Sequence, residues 1–164
     1  MANRAYLYSS EDSEHWDFNS LEECPYYDSR HTFPLLWWFF FEEGDVFFKD
    51  ISYHNSTWKE ARLRADKLTG IARFKKFTKK WNDRFSGLIS KDDIRLFLKT
   101  IKNWEGKYLF VDPAEIFEGN GKQDLNKVVQ FLRDLTDLEK APYSNIDTLE
   151  ENPEVALIGY TYGN

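Results

Sequence analysis

The sequence predicts an α+β fold, in which a small, mostly antiparallel sheet packs against four to five helices. Segments that alternate polar and apolar residues are mixed with segments whose apolar residues recur every three or four positions, which are the periods of strands and helices. The chain has 164 residues, a usual size for one domain, and 18% of them are aromatic. Because aromatic rings bury large apolar areas, we expect a single packed domain over residues 1–164.

Three segments are predicted to be strands. Residues 4–9 (RAYLYS) alternate polar and apolar side chains, whereas 107–111 (KYLFV) and 154–160 (EVALIGY) are mainly apolar. We expect these three strands to share one sheet that packs on the helices.

The apolar segment 33–41 (FPLLWWFFF) fits either a buried strand or a buried helix. In the first interpretation, residues 42–45 (EEGD) form a hairpin loop that leads to a second strand at 46–48. In the second interpretation, Thr32 caps a helix whose first turn contains Pro34.

The predicted helices are at residues 57–70, 71–88, from 90 onward, from 112 onward and 125–138. Thr57 and Glu60 form a capping box for the first of them, and Gly70 ends it. Ser90 is the N-cap of the third. Asp112, followed by proline, begins the short fourth helix.

Charge is strongly segregated along the chain. The formal net charge is −6, but residues 1–58 carry −8, residues 59–107 carry +9 and residues 108–164 carry −7. The simplest interpretation is a basic helical layer between two acidic segments of one fold. The overall negative charge disfavours nucleic acid as the main partner.

The sequence contains few candidates for catalysis, and we expect a protein that is not an enzyme and has no cofactor or metal. Glycine-rich phosphate loops, nucleophile elbows and zinc-protease motifs are absent. His15, His31 and His54 show no ligand spacing, and Cys24 lies in acidic surroundings that disfavour a thiolate. The adjacent carboxylate pairs at 22–23, 42–43 and 150–151 are typical of solvated loops.

An acidic segment is the first candidate for partner binding. Residues 9–28 hold seven acidic side chains and no basic one, so they can steer a basic partner. Aromatic residues in the same segment would serve as anchors. The predicted contact residues are Glu11, Asp12, Glu14, Trp16, Asp17, Glu22, Glu23, Tyr26, Tyr27 and Asp28.

A basic segment is the second candidate. Residues 59–84 contain ten Lys or Arg residues and three acidic ones. The composition resembles a nucleic-acid surface, although Phe74, Phe77 and Trp81 recur at helical spacing and are better explained as core residues.

Cysteine usage and hydropathy predict a cytoplasmic protein. Cys24 is the single cysteine, so no disulfide within the chain is possible. The longest apolar run has nine residues, whereas a membrane-spanning helix needs about 20. The first ten residues also lack the pattern of a signal peptide.

The opening residues 1–9 (MANRAYLYS) resemble the start of a poorly characterised family of small bacterial cytoplasmic proteins, which often begin MANR-x-YLYS. Residues 34–38 (PLLWW) and 108–112 (YLFVD), the latter followed by Glu115 and Ile116, are also similar to it. In that family the segment equivalent to 34–38 begins a helix, which favours the helical interpretation of 33–41. Such proteins resemble the immunity proteins encoded beside secreted bacterial toxins.

The resemblance implies an immunity-type inhibitor that binds and neutralises the C-terminal domain of a cognate toxin in the cytoplasm. We expect that domain to be basic, and a nuclease would meet this requirement because its substrate is a polyanion. The alternative is a nucleic-acid-binding regulator that uses the basic region 59–84. A third hypothesis is an enzyme that uses His15 and neighbouring carboxylates.

Overall fold

The computed structural model describes residues 4–14, 24–30, 34–53, 56–85, 89–112, 129–130, 132–133 and 160–162. The strands are β1 (Arg4–Ser10), β2 (Tyr26–Arg30), β3 (Val46–Tyr53), β4 (Ser56–Asp66), β5 (Tyr108–Asp112) and β6 (Tyr160–Tyr162). The helices are α1 (Leu35–Trp38), α2 (Lys67–Phe85) and α3 (Lys91–Asn103), and a 3-10 turn covers Glu43–Asp45.

The six strands form one sheet in the order β3-β4-β5-β1-β2-β6, and every neighbouring pair is antiparallel. The predicted strands at 4–9 and 107–111 are confirmed. β1 and β5 pair with each other, so their predicted place in one sheet is confirmed, and of the third predicted strand only Tyr160 is described, within β6 beside β2. Residues 154–159 of the third predicted strand lie outside the described residues.

The prediction of four to five helices was wrong. In the part of the chain that the structure describes, the sheet is accompanied by the three helices α1–α3 and by helical residues at 129–130 and 132–133. The main difference is at residues 56–66, which form the strand β4 rather than a helix. Asp112, the predicted N-cap of the fourth helix, is the last residue of β5, and the helix predicted to follow it from residue 113 lies outside the described residues.

Alternation explains why β4 is a strand. Leu63 and Ala65 are buried in the core, while Arg62 and Arg64, which alternate with them along β4, lie on the opposite face of the sheet. A helix would have spread these four side chains around its axis and directed at least one arginine at apolar neighbours. The two-residue alternation of buried and opposite-face side chains therefore predicts the structure of this segment correctly, whereas the capping box of Thr57 and Glu60 does not.

Helix α2 starts where β4 ends. The carboxylate of Asp66 accepts hydrogen bonds from the backbone N–H and the hydroxyl of Thr69, each at 2.8 Å, and so caps the first turn. Gly70 does not end a helix but lies inside α2, where a Cβ atom would come within 3.1 Å of the carbonyl oxygen of Phe40. Glycine at this position lets the helix approach the aromatic segment closely.

The other helix predictions were largely correct. Helix α3 begins after Ser90, whose hydroxyl accepts a hydrogen bond from the backbone N–H of Asp93, as predicted. The helical interpretation of segment 33–41 is confirmed for Leu35–Trp38. The hairpin alternative is wrong because β3 pairs with β4 rather than with the apolar segment.

An aromatic cluster joins the helices to one face of the sheet. The ring centroid of Phe40 lies 4.6 Å from that of Phe74 in α2 and 6.0 Å from that of Phe97 in α3. The rings of Phe74 and Phe97 are themselves 5.7 Å apart. Leu7, Leu63, Leu109 and Val111 of the sheet belong to the same buried cluster.

We predict that Phe40→Ala lowers the free energy of unfolding by about 3–5 kcal/mol, because it removes the ring that contacts both long helices. Chemical denaturation would measure the loss. Phe48→Ala is the matched control, since Phe48 is 49% exposed and its loss should change stability by less than about 0.5 kcal/mol. Equal effects of the two substitutions would contradict this account of the core.

We predict that Asp66→Ala lowers the free energy of unfolding at pH 7 by about 1 kcal/mol through loss of the helix cap. The hydrogen bonds from Thr69 lower the pKa of the Asp66 carboxyl. A carboxylate with a lowered folded-state pKa stabilises the protein above its unfolded-state pKa of about 3.9, and this contribution is lost as the pH falls through the folded-state value.

Denaturation of wild type and Asp66→Ala from pH 7 to pH 3 would therefore show a stability difference that shrinks below about pH 4. Asp66→Asn keeps a capping oxygen but cannot ionise, so its stability at pH 7 should lie between those of the wild type and Asp66→Ala and should approach the wild type as the pH falls below about 4. A difference that is constant over the whole range would show that the ionised carboxylate is not what stabilises α2.

Candidate partner-binding surface

The described part of the acidic segment forms a turn at residues 11–14, which directly follows β1. The backbone N–H of Asp12 donates to the Ser10 hydroxyl at 3.2 Å, and that of Glu14 donates to the Asp12 carboxylate at 2.8 Å. Short polar side chains that accept from the backbone two residues ahead fix such turns. We call residues 11–14 the acidic turn.

The turn before β5 holds the base of the acidic turn. Gly106 has φ of 98°, and a Cβ atom there would lie 2.6 Å from the carbonyl carbon of Ser10. The hydroxyl of Ser9 also donates to the carbonyl oxygen of Glu105. Only glycine permits both the positive φ and this close approach.

Two basic side chains fix the carboxylates of the acidic turn. Lys107 lies 2.5 Å from Glu11, and Arg64 lies 3.2 Å from Glu14 while donating to the carbonyl oxygen of Ser13 at 2.7 Å. The side chains of Glu11 and Glu14 nevertheless remain 65% and 70% exposed. The turn thus presents carboxylates to solvent in a fixed arrangement.

Arg64 itself is held by aromatic rings. Its guanidinium carbon lies 4.2 Å from the ring centroid of Phe47 in β3 and 6.0 Å from that of Tyr108 in β5. Cation–π contacts of this kind orient an arginine that is also hydrogen-bonded. Three neighbouring strands therefore determine where Glu14 points.

The predicted contact residues fall into three groups. Glu11, Asp12 and Glu14 are exposed in the acidic turn. Tyr26 is half-buried, whereas Tyr27 and Asp28 are buried in β2, so neither is available at the surface. The remaining residues of the prediction lie outside the described residues: Trp16, Asp17, Glu22 and Glu23.

Tyr27 and Asp28 have structural roles that the sequence analysis missed. The ring of Tyr27 contacts those of Phe97 (4.9 Å between centroids) and Trp104 (5.6 Å) in the core. Asp28 points to the opposite face of the sheet and pairs with Arg4 at 3.2 Å. The alternation in residues 26–30 (YYDSR) was the signal that could have identified this strand.

The face of the sheet opposite the core carries a buried ion pair. Arg62 in β4 lies 2.9 Å from Asp112 in β5, and their side chains are only 8% and 10% exposed. Tyr8 and Phe110 stack on the same face with centroids 5.3 Å apart. This polar and aromatic face was not predicted, because β4 was interpreted as a helix.

The remaining catalytic candidates receive little support from their surroundings. Burial raises the pKa of the Cys24 thiol, although a hydrogen bond from its own backbone partly offsets the rise. In the pair 42–43, Glu42 binds Arg73, and the hydrogen bond from Arg133 lowers the pKa of Glu43. A lowered pKa is the opposite of what a general acid requires.

The other catalytic candidates lie outside the described part of the chain. His15, His31, His54 and the carboxylate pairs 22–23 and 150–151 are not among the described residues.

The basic region 59–84 is divided between two elements. Residues 59–66 belong to β4, where Arg62 and Arg64 pair with Asp112 and Glu14, whereas 67–84 belong to α2. Four lysines of α2 are exposed: Lys75, Lys76, Lys79 and Lys80. Phe74 is buried and Phe77 half-buried, which confirms the interpretation of both as core residues.

We predict that Asp112→Ala lowers the free energy of unfolding by about 3–5 kcal/mol, because it leaves the buried charge of Arg62 without this carboxylate. Replacing both partners, as in Arg62→Met with Asp112→Leu, should recover most of the loss, since no buried charge then remains. Denaturation of the three proteins measures both effects. A double variant that is no more stable than Asp112→Ala would contradict the ion-pair explanation.

No group of three or more His, Cys, Asp or Glu residues that could hold a metal ion occurs among the described residues. None of the helices in the described ranges is both long and apolar enough to cross a membrane. Comparisons with protein-family models, with curated proteins and with solved structures found no match.

Proposed function

We propose that this chain is an immunity-type inhibitor, which binds and neutralises a cognate bacterial toxin domain by protein–protein interaction. The observation that carries the proposal is the acidic turn, where Glu11, Asp12 and Glu14 are exposed and fixed at the end of the sheet. The resemblance of residues 1–9 to a family that is similar to such inhibitors supports it.

A fixed cluster of carboxylates suits a basic partner. Electrostatic complementarity increases the rate of encounter and excludes like-charged partners. Because the acidic turn is already ordered by Lys107, Arg64 and the turn containing Gly106, binding would not have to order it again. Among the described residues, Tyr26 is the predicted aromatic anchor that remains half-buried rather than buried, and its ring lies 5.9 Å from that of Tyr6.

The proposed partner is the C-terminal domain of a toxin encoded next to this chain, with a basic surface such as a nuclease presents to its polyanionic substrate. The proposed place of action is the cytoplasm of the toxin-producing cell. The single cysteine, Cys24, is compatible with that reducing compartment.

We predict that Glu11→Lys with Glu14→Lys slows association with the toxin domain by about tenfold or more at low salt, and by less at physiological salt. Reversed charges repel a basic partner, and salt screens the repulsion. Stopped-flow or surface-plasmon measurements with the purified toxin domain would give the association rates, and growth rescue on co-expression would report neutralisation.

The matched control reverses two exposed carboxylates elsewhere, Asp50 in β3 and Asp92 in α3. It makes the same change in net charge but should alter association much less. If both variants slow association equally, the acidic turn is not the docking surface. If the neighbouring toxin domain does not bind the wild-type protein at all, the proposed function is wrong.

A further inference from the structure

Helix α2 presents a continuous basic face. Its buried side contains Ile71 and Phe74, and the side that faces solvent carries Lys75, Lys76, Lys79 and Lys80. Residues three and four apart lie on the same side of a helix, so the four lysines occupy two successive turns of one face. Asp83 follows Lys79 by four positions in the sequence, and its side chain lies outside the described residues.

Helix α3 repeats the arrangement. Phe97 and Ile101 are buried, while the exposed side carries four basic residues: Lys91, Arg95, Lys99 and Lys102. Asp92 is exposed beside them and pairs with Arg95 at 3.1 Å. The exposed face of α3 is therefore also strongly basic.

The two basic faces lie on the same side of the sheet. Phe74 of α2 and Phe97 of α3 contact each other in the core, so both helices cover the same face of the sheet and turn their charged sides outward. We call the eight residues named above the basic helical surface. It differs from the acidic turn, which lies where β1 ends.

Like charges recur at helical spacing on both faces. Lys75 lies four residues before Lys79, and Arg95 lies four residues from both Lys91 and Lys99. Like charges at this spacing repel each other, and in α3 the pair of Asp92 with Arg95 offsets part of this repulsion. A ligand that supplies regularly spaced negative charges would interact favourably with both faces.

We propose that the basic helical surface binds the phosphate backbone of a nucleic acid, independently of base sequence. The charges repeat at each turn, about 6 Å apart, along two helices, and so match a polymer of closely spaced phosphates better than the few carboxylates of a protein. Interactions between exposed charges are screened beyond about 10 Å at 0.1 M salt, so distant charges change the local field of this surface only slightly.

The test is fluorescence anisotropy with the full chain and a labelled mixed-sequence duplex DNA and a single-stranded RNA, each of about 20 nucleotides. We expect binding at 50 mM salt that weakens on the order of 100-fold at 200 mM for the duplex, as expected for about four phosphate contacts. Absence of binding to both probes at 50 mM salt would overturn the proposal.

Lys76→Gln with Lys79→Gln should reduce the slope of log affinity against log salt concentration by about two. The matched control, Lys49→Gln with Arg133→Gln, removes the same charge from other elements and should leave the slope unchanged. Equal effects of the two variants, or binding of phosphatidylserine vesicles or polyglutamate but neither nucleic acid, would also overturn the proposal. Glu11→Lys with Glu14→Lys acts on the acidic turn and so separates this result from the proposed function.

Discussion

The contact of Phe40 with α2 and α3 is the constraint on which the rest of the molecule depends. Its ring packs on Phe74 and Phe97. Its carbonyl oxygen lies so close to Gly70 that a Cβ atom at that position would be 3.1 Å from it. Because one residue of the aromatic segment contacts both long helices, it fixes how each of them sits on the sheet. A packed core transmits such constraints, since few voids are available to absorb a shift. The outward faces of the helices follow from this contact, and with them the positions of the exposed lysines described on α2 and α3.

The second constraint is the strict two-sidedness of the sheet. Leu63 and Ala65 face the helices, and Arg62 and Arg64 face the other way, where one is paired with Asp112 and the other with the acidic turn. A one-residue shift of β4 would bring both arginines into the apolar core. The buried ion pair is thus better regarded as fixing the register of β4 and β5 than as a large source of stability. The same register places Arg64 beside Glu14, and this ion pair links the sheet to the acidic turn.

Local signals were sufficient where they agreed with the tertiary structure. The alternation in β1, the apolar run of β5 and the Ser90 cap of α3 each predicted the observed element. Residues 57–66 carried a helical capping pattern and a strand alternation at once, and only pairing with β3 and β5 decides between them. Composition identified the acidic segment but did not show which of its predicted contact residues are exposed and which are buried. Burial of Tyr27, for example, depends on its contact with Phe97 of α3, which is distant in sequence.

In the part of the chain that the structure describes, the topology places the acidic turn and the basic faces of α2 and α3 on different parts of the fold. The acidic turn follows a central strand and therefore emerges at an end of the sheet, whereas α2 and α3 cover one of its faces. Arg64 and Lys107 belong to the basic part of the sequence, yet they pair with Glu14 and Glu11. The acidic turn is therefore ordered by cations from the basic segment 59–107. The lysines of α2 remain on the outer side of the helical layer. Since screening weakens interactions between distant exposed charges, the attraction of each surface for a partner depends mainly on the charges closest to it.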